Sequence, residues 1–173
     1  MSDFVAFLGF VNQQLHEKGI ARFENLLMPA NFSSLVSEFM IAGLAKHCPT
    51  LTKNLYHNGH PDLIPLGHFP GDAAHHTSEG IEIKASRYLK GWQGHNPEDI
   101  WLMVFVFDSN RPSDSSKGVR PRPFRFLEVL GGNLEKGDWL FSGRSGNSRR
   151  TITASVAQAG YQKMAANWIY HAV

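Results

Sequence analysis

The sequence predicts an α/β domain in which a mixed central β-sheet is flanked by helices. Three observations carry this. Two amphipathic helical patterns occupy the first 44 residues. Three apolar or alternating runs of strand length follow, at 63–66, 80–85 and 100–107. The remainder is basic and β-rich, and it closes on a further helical pattern. With 173 residues, 42% hydrophobic and 18% charged, the chain is expected to form one domain with its own core, spanning 1–173. No internal repeat or linker divides it.

The first helix covers 4–16, where Phe4, Phe7, Leu8, Val11 and Leu15 recur three and four apart. Gly19 ends it as a helix C-terminal glycine would. Pro29 breaks the chain, and Asn31 is the expected N-cap of a second helix. The apolar face of that helix is Phe32, Leu35, Val36, Phe39, Met40 and Leu44. Cys48, the single cysteine, excludes an internal disulfide and a multi-cysteine zinc site, and it is expected to be a buried structural thiol. Residues 46–59 carry Pro49, two threonines and Asn58-Gly59, the chemistry of a turn-rich connection.

Pro61-Asp62 precedes the apolar run Leu63-Ile64-Pro65-Leu66, read as a strand. In Gly80-Ile81-Glu82-Ile83-Lys84-Ala85 polar and apolar residues alternate, the mark of a half-buried strand. Ile81, Ile83 and Ala85 would face the core, with Glu82 and Lys84 side by side opposite. If the two strands pair antiparallel, Asp62 and Glu82 converge on one metal ion with Lys84 beside it. Between them lie His68, His75 and His76. Adjacent histidines do not readily chelate one ion from a regular strand, so an exposed, mobile loop is expected. A loop that clamps a phosphate backbone is the other reading.

Residues 86–99 interleave polar and aromatic side chains. Arg87, Lys90, Trp92, Gln93, His95 and Asn96 are either contacts to phosphates and base edges or parts of a surface loop anchored by Trp92. Residues 100–107, apolar throughout, predict a strand buried on both faces at the sheet centre. A long basic loop covers 109–123. Residues 124–130 form a further strand, ended by Gly131-Gly132, and 139–141 a short one. The segment 143–150 is rich in glycine and arginine, placing Arg144, Arg149 and Arg150 as phosphate contacts. Residues 151–153 resume a strand, and 156–170 read as helix through Met164, Trp168 and Ile169.

Residues 1–83 hold four Lys/Arg against eight Asp/Glu, a net of −4, and residues 84–173 hold thirteen against seven, a net of +6. An acidic half with a carboxylate pair and a basic half suit a polyanion bound beside a metal site. An uneven solvated surface gives the same count. The first residues lack a basic leader and a small-residue cleavage site, and no apolar run approaches the ~20 residues that span a bilayer. A cytoplasmic protein is therefore expected.

Pro61-Asp62 together with Glu82-Ile83-Lys84 resembles the signature of the PD-(D/E)xK nuclease superfamily, which includes many type II restriction endonucleases. The motif covers a handful of residues, and the compatible element order covers roughly 31–108. The resemblance implies a restriction-endonuclease-like fold, an endonuclease activity and DNA as substrate, with Asp62, Glu82 and Lys84 catalytic. It also implies a further acidic ligand on the helix before the motif. Glu38 is the residue there, against the alternative of an ordinary rim carboxylate. Two carboxylates at one oxygen-rich site favour a hard cation such as Mg²⁺. A homodimer cutting both strands, and a cognate methyltransferase encoded nearby, would be the partners of a restriction enzyme. A repair or junction-resolving nuclease is the alternative within the enzyme class. Outside it stand a catalytically silent DNA-binding module of the same fold and a mere surface ion pair among the three residues, worth ~0–1 kcal/mol.

Overall fold

The computed structural model describes residues 1–94, 96–141 and 153–172. Three helices come first: α1 (Ser2–Glu17), the short α2 (Phe23–Leu26) and α3 (Pro29–His47). Strands β1 (Leu51–Lys53), β2 (Leu63–Pro65), β3 (Ile81–Ser86), β4 (Gln93–Gly94), β5 (Ile100–Asp108), β6 (Arg125–Leu134), β7 (Trp139–Phe141) and β8 (Ala154–Val156) follow, then α4 (Gln158–Ala166) and β9 (Trp168–His171). Six strands form one mixed sheet in the order β1-β2-β3-β5-β6-β9, in which only β3 and β5 run parallel. The other three, β4-β8-β7, make a small antiparallel sheet.

The period of β5 explains the layering. Phe105 and Phe107 project to one face of the sheet, and Leu102, Val104 and Val106 to the other. The first face meets α1 and α3, where Phe4, Leu8, Phe32, Val36, Met40 and Ile41 are buried against Leu63, Ile83, Phe126 and Val129. The second meets the small sheet and α4 through Trp92, Trp139, Ala154, Val156 and Met164. Phe4, Phe124 and Phe126 interlock edge-on, Phe4 and Phe126 each with its ring centroid 5.0 Å from that of Phe124. Such pairs contribute about 0.5–1.5 kcal/mol each beyond area burial. The central position of β5 agrees with its apolar run, although Trp101 is exposed.

Several local expectations are corrected. Pro29 starts α3 rather than breaking the chain: it occupies the first turn, where its missing N–H costs nothing, and Asn31 lies inside the helix. Residues 51–53, within the expected connection, form β1. Gly131 and Gly132 do not end β6 but continue it, because added Cβ atoms would lie 3.1 Å from Ile169 Cδ1 and 3.1 Å from Met164 Cγ. The glycines let β9 and α4 approach the sheet. Trp168 and Ile169 leave the helix for the edge strand β9, where Trp168 pairs with Leu130 and Ile169 falls at an irregularity of the register. Cys48 is half-buried at the end of α3, its sulfur 3.3 Å from Thr50 Oγ1, and is not a core thiol. No helix among the described residues is long and apolar enough to cross a membrane.

Candidate active site

Strands β2 and β3 touch at one antiparallel pair, Leu63 opposite Ile81, and Asp62, just before that pair, comes within reach of Glu82, just after it. Gly80 allows this crossing. It has φ 146°, and a side chain there would run into the Leu63 carbonyl and stand 2.6 Å from Pro61 Cγ. Beyond Ile81 the β2 side of β3 has no ladder partner among the described residues. Asp62 fills the first open position, where its Oδ2 accepts the Ile83 N–H at 2.8 Å. Its carbonyl accepts the Asn54 N–H at 2.9 Å.

Asn54 is the hub behind Asp62. Its buried side chain donates to the carbonyls of Pro61 (3.0 Å) and Ala74 (2.8 Å), and its oxygen accepts from Ala74 N (3.0 Å) and Tyr56 N (3.1 Å). The segment between β2 and β3 is thereby pinned. His60 donates its N–H to the His75 carbonyl, Thr77 donates back to the His60 carbonyl, and the His60 and His76 rings stack with centroids 5.2 Å apart. His75 and His76 are exposed, as expected of that loop, but their backbones are tied down.

Glu82 carries two cationic partners. Lys84 Nζ stands 3.0 Å from Oε1, and His60 Nδ1 stands 3.1 Å from Oε2. The other nitrogen of His60 lies 2.9 Å from Glu98 Oε2. Both ring nitrogens face carboxylates, an arrangement that favours the doubly protonated ring. Its pKa is raised, first by the hydrogen bond to Glu82, against the opposing effect of burial. Burial raises the pKa of Glu82, but the His60 hydrogen bond and the Lys84 charge outweigh it and hold the carboxylate well below its usual range. Asp62 goes the other way. Burial, then the negative charge of Glu82, push it up to about 6, and the Ile83 N–H and Lys84 only partly offset them.

Asp62, Glu82, Lys84 and Glu38 all line one cleft of about 260 Å³ between α3 and β3, with Ser33, Ser34 and Ser37 as its helical wall. Glu38 is exposed and accepts from Lys53 Nζ at 2.8 Å. A larger cavity lies elsewhere, about 550 Å³ between the α1–α3 layer and the β9 side of the sheet, with mainly apolar walls.

Of the residues expected to touch nucleic acid, Lys90 and Gln93 are exposed, and Trp92 anchors their segment from the core. Arg87 donates to Ser109 Oγ (2.9 Å) and to the carbonyls of Pro29 (3.3 Å) and Asn110 (3.4 Å), beneath the rings of Phe32 and Phe107. Arg144, Arg149, Arg150 and His95 lie outside the described residues. Sequence reasoning missed His60, Asn54 and Glu98. His60 adjoins the Pro61-Asp62 pair, and that adjacency is the only local signal for any of the three.

Among the described residues, no group of three or more His, Cys, Asp or Glu side chains is arranged to hold a metal ion. No protein-family model matches the sequence, no curated protein matches it, and no solved structure matches the fold.

Proposed function

We propose that this chain is a metal-dependent endonuclease that hydrolyses DNA phosphodiester bonds, on a restriction-endonuclease-like version of the mixed sheet. One observation carries the reading: the crossing of β2 and β3 at Leu63 and Ile81 brings Asp62 and Glu82 to one open cleft, with Lys84 on Glu82. The donor set fits Mg²⁺, which is commonly held by one or two carboxylates with water and substrate phosphate completing the shell. Asp62 supports the fit, because a carboxyl driven upward by burial and a neighbouring carboxylate is relieved when a cation takes the place of its proton. Asp62 and Glu82 would hold the ion, and Glu38 stands on the opposite wall of the cleft as a further oxygen donor once released from Lys53. When bound, such an ion supplies Lewis acidity toward a phosphoryl oxygen.

The protein's own groups do the rest. Lys84 keeps an ammonium beside Glu82, where it stabilises negative charge developing on phosphorus and orients the attacking water. His60, held by Glu98, fixes one oxygen of Glu82 and leaves the carboxylate little freedom to rotate. The basic balance of residues 84–173 supplies the attraction for a polyanion.

A second reading, a catalytically silent DNA-binding module, is favoured by the neutralisation of Glu82 by His60 and Lys84 without any ion. Incubation of supercoiled plasmid with the purified protein in Mg²⁺ or in EDTA separates the two. Nicking or linearisation in Mg²⁺ only, lost in Asp62→Ala and Glu82→Ala, supports the nuclease. Plasmid binding without cleavage supports the silent module.

A further inference from the structure

We infer that the catalytic cleft is one end of a longer groove between α3 and β3, a track for one DNA strand that ends in a phosphate subsite at Arg87 and Arg111. The identity of the occupant as DNA rests on the nuclease reading, while the track rests on the geometry that follows.

A second cavity of about 260 Å³ is lined by Ala30, Ser33, Ser86, Arg87, Tyr88 and Arg111. Ser33 belongs to its wall and to that of the carboxylate cleft, so the two adjoin. The linings advance together along both elements. Along β3 and beyond, residues 82–85 face the first cavity and 86–88 the second. Along α3, Glu38 and Ser37 belong to the first and Ala30 and Pro29 to the second.

The helical wall is low. Ser34 and Ser37 fold their hydroxyls back onto the carbonyls of Ala30 (3.1 Å) and Ser33 (3.2 Å). From Glu38 to Pro29 the helix rises about 14 Å at ~1.5 Å per residue.

The far end is built for an anion. Among the described residues, the three hydrogen-bond acceptors of Arg87 are neutral oxygens, and no carboxylate is bonded to its guanidinium. Two aromatic rings hold it in place. Arg111 brings a second guanidinium to the same pocket; its side chain is exposed and forms no hydrogen bond or ion pair among the described residues. Burial first, then the charge of Arg111, depress the pKa of Arg87, against the opposing charges of Glu24 and Asp114 nearby. A phosphate diester is the complement. Tyr88, 69% exposed at the rim, offers a ring to a sugar or base.

The test is anisotropy of a labelled duplex of about 20 base pairs, titrated over a range of salt in EDTA. The proteins are wild type, Arg111→Ala, Arg111→Glu, Ser33→Trp and a distant control, Lys18→Ala. All the positions have exposed or half-buried side chains, and thermal melts confirm folding. Arg111→Ala is expected to lower the slope of log affinity against log salt by about 0.9. Arg111→Glu is expected to weaken binding further, Ser33→Trp to block the track and weaken it several-fold, and the control to match wild type. Wild-type affinity and slope in both Arg111 variants would overturn the inference, as would absence of DNA binding by the wild type. Tighter Arg111-dependent binding to an RNA duplex would overturn DNA as the occupant. Arg111-dependent DNA binding with no cleavage in Mg²⁺ leaves the track standing and removes the nuclease reading.

Discussion

Two carboxylate sites of this molecule, one at Glu24 and one at Asp62 and Glu82, are resolved in opposite ways. Glu24, fully buried, accepts from Arg22 Nε (2.7 Å), Asn110 Nδ2 (2.8 Å) and Asn12 Nδ2 (2.8 Å). Burial raises its pKa, and these hydrogen bonds more than compensate, so it stays ionised. The cluster ties α1, α2 and the segment after β5 together, and Asn110 is in turn closed by the backbone of Arg122. Nothing is left for a ligand to do. At Asp62 and Glu82 the partners are unequally shared: Glu82 has two cations, and Asp62 has a neutral amide and a repelling neighbour. A buried charge satisfied on every side holds the fold. A half-buried carboxyl left in conflict at the wall of an open cleft marks a candidate functional site.

The largest effect should come from breaking the closed cluster. Glu24→Ala leaves Asn12, Asn110 and Arg22 without their acceptor, and should cost about 3–5 kcal/mol. Urea denaturation should show a lower midpoint with little change in slope.

Substitution in the open cluster should give effects of opposite sign. At pH 8, in EDTA, Asp62→Asn removes a half-buried negative charge beside Glu82 and keeps the shape, so it should stabilise the protein by on the order of 1–2 kcal/mol. Glu82→Gln strips His60 and Lys84 of their counter-charge and should destabilise it by a similar amount.

The pH dependence sharpens this. The folded-state pKa of Asp62 is raised from 3.8 to about 6, so its contribution to stability is fully present below pH 3.8 and lost as pH rises through about 6. Glu82 is depressed, so its contribution is present above its usual range and lost only as the pH falls through its lowered value. Between about pH 4 and 6 the metal-free wild type should therefore lose stability relative to Asp62→Asn, by thermal melts in EDTA. Identical profiles would mean that Asp62 is not in conflict.

How much of this was legible in the sequence depends on whether the signal was local. The alternation of β3 and the continuous run of β5 express a period of two within a few residues, and both strands stand where that period puts them. The nearness of Asp62 to Glu82 follows from placing two short strands antiparallel. β1 was hidden because Leu51–Lys53 is three residues long and flanked by turn-forming residues. Gly131-Gly132 resembles a strand end, and its role as a floor for Met164 and Ile169 emerges only after α4 and β9 fold over it. The spacing of Met164, Trp168 and Ile169 suits a helix, yet Asn167 ends α4 and the last two join the sheet. Glu98 lies far along the chain from His60, and no periodicity links them.

A smaller effect should follow at that link. Glu98→Gln removes the charge that holds His60 against Glu82 but touches neither Asp62 nor Lys84. Loss of such an outer partner typically weakens metal affinity by about 10-fold or more. Half-saturating Mg²⁺ in the cleavage assay should rise by that order, with the rate at saturating Mg²⁺ close to wild type. An unchanged Mg²⁺ requirement would make the Glu98–His60 contact purely structural.

The central claim is that Asp62 and Glu82 bind a metal ion for phosphodiester hydrolysis while Lys84 serves the chemistry. The most direct measurement is calorimetric titration of Mg²⁺ and Ca²⁺ into wild type, Asp62→Ala, Glu82→Ala and Lys84→Ala, with plasmid cleavage followed on the same preparations. The prediction is that both carboxylate variants lose binding and cleavage together. Lys84→Ala should keep its metal and lose about 10²–10³ in rate, the scale of deleting one preorganised donor. Wild-type cleavage in all three variants, or no metal binding by the wild type, would contradict the assignment.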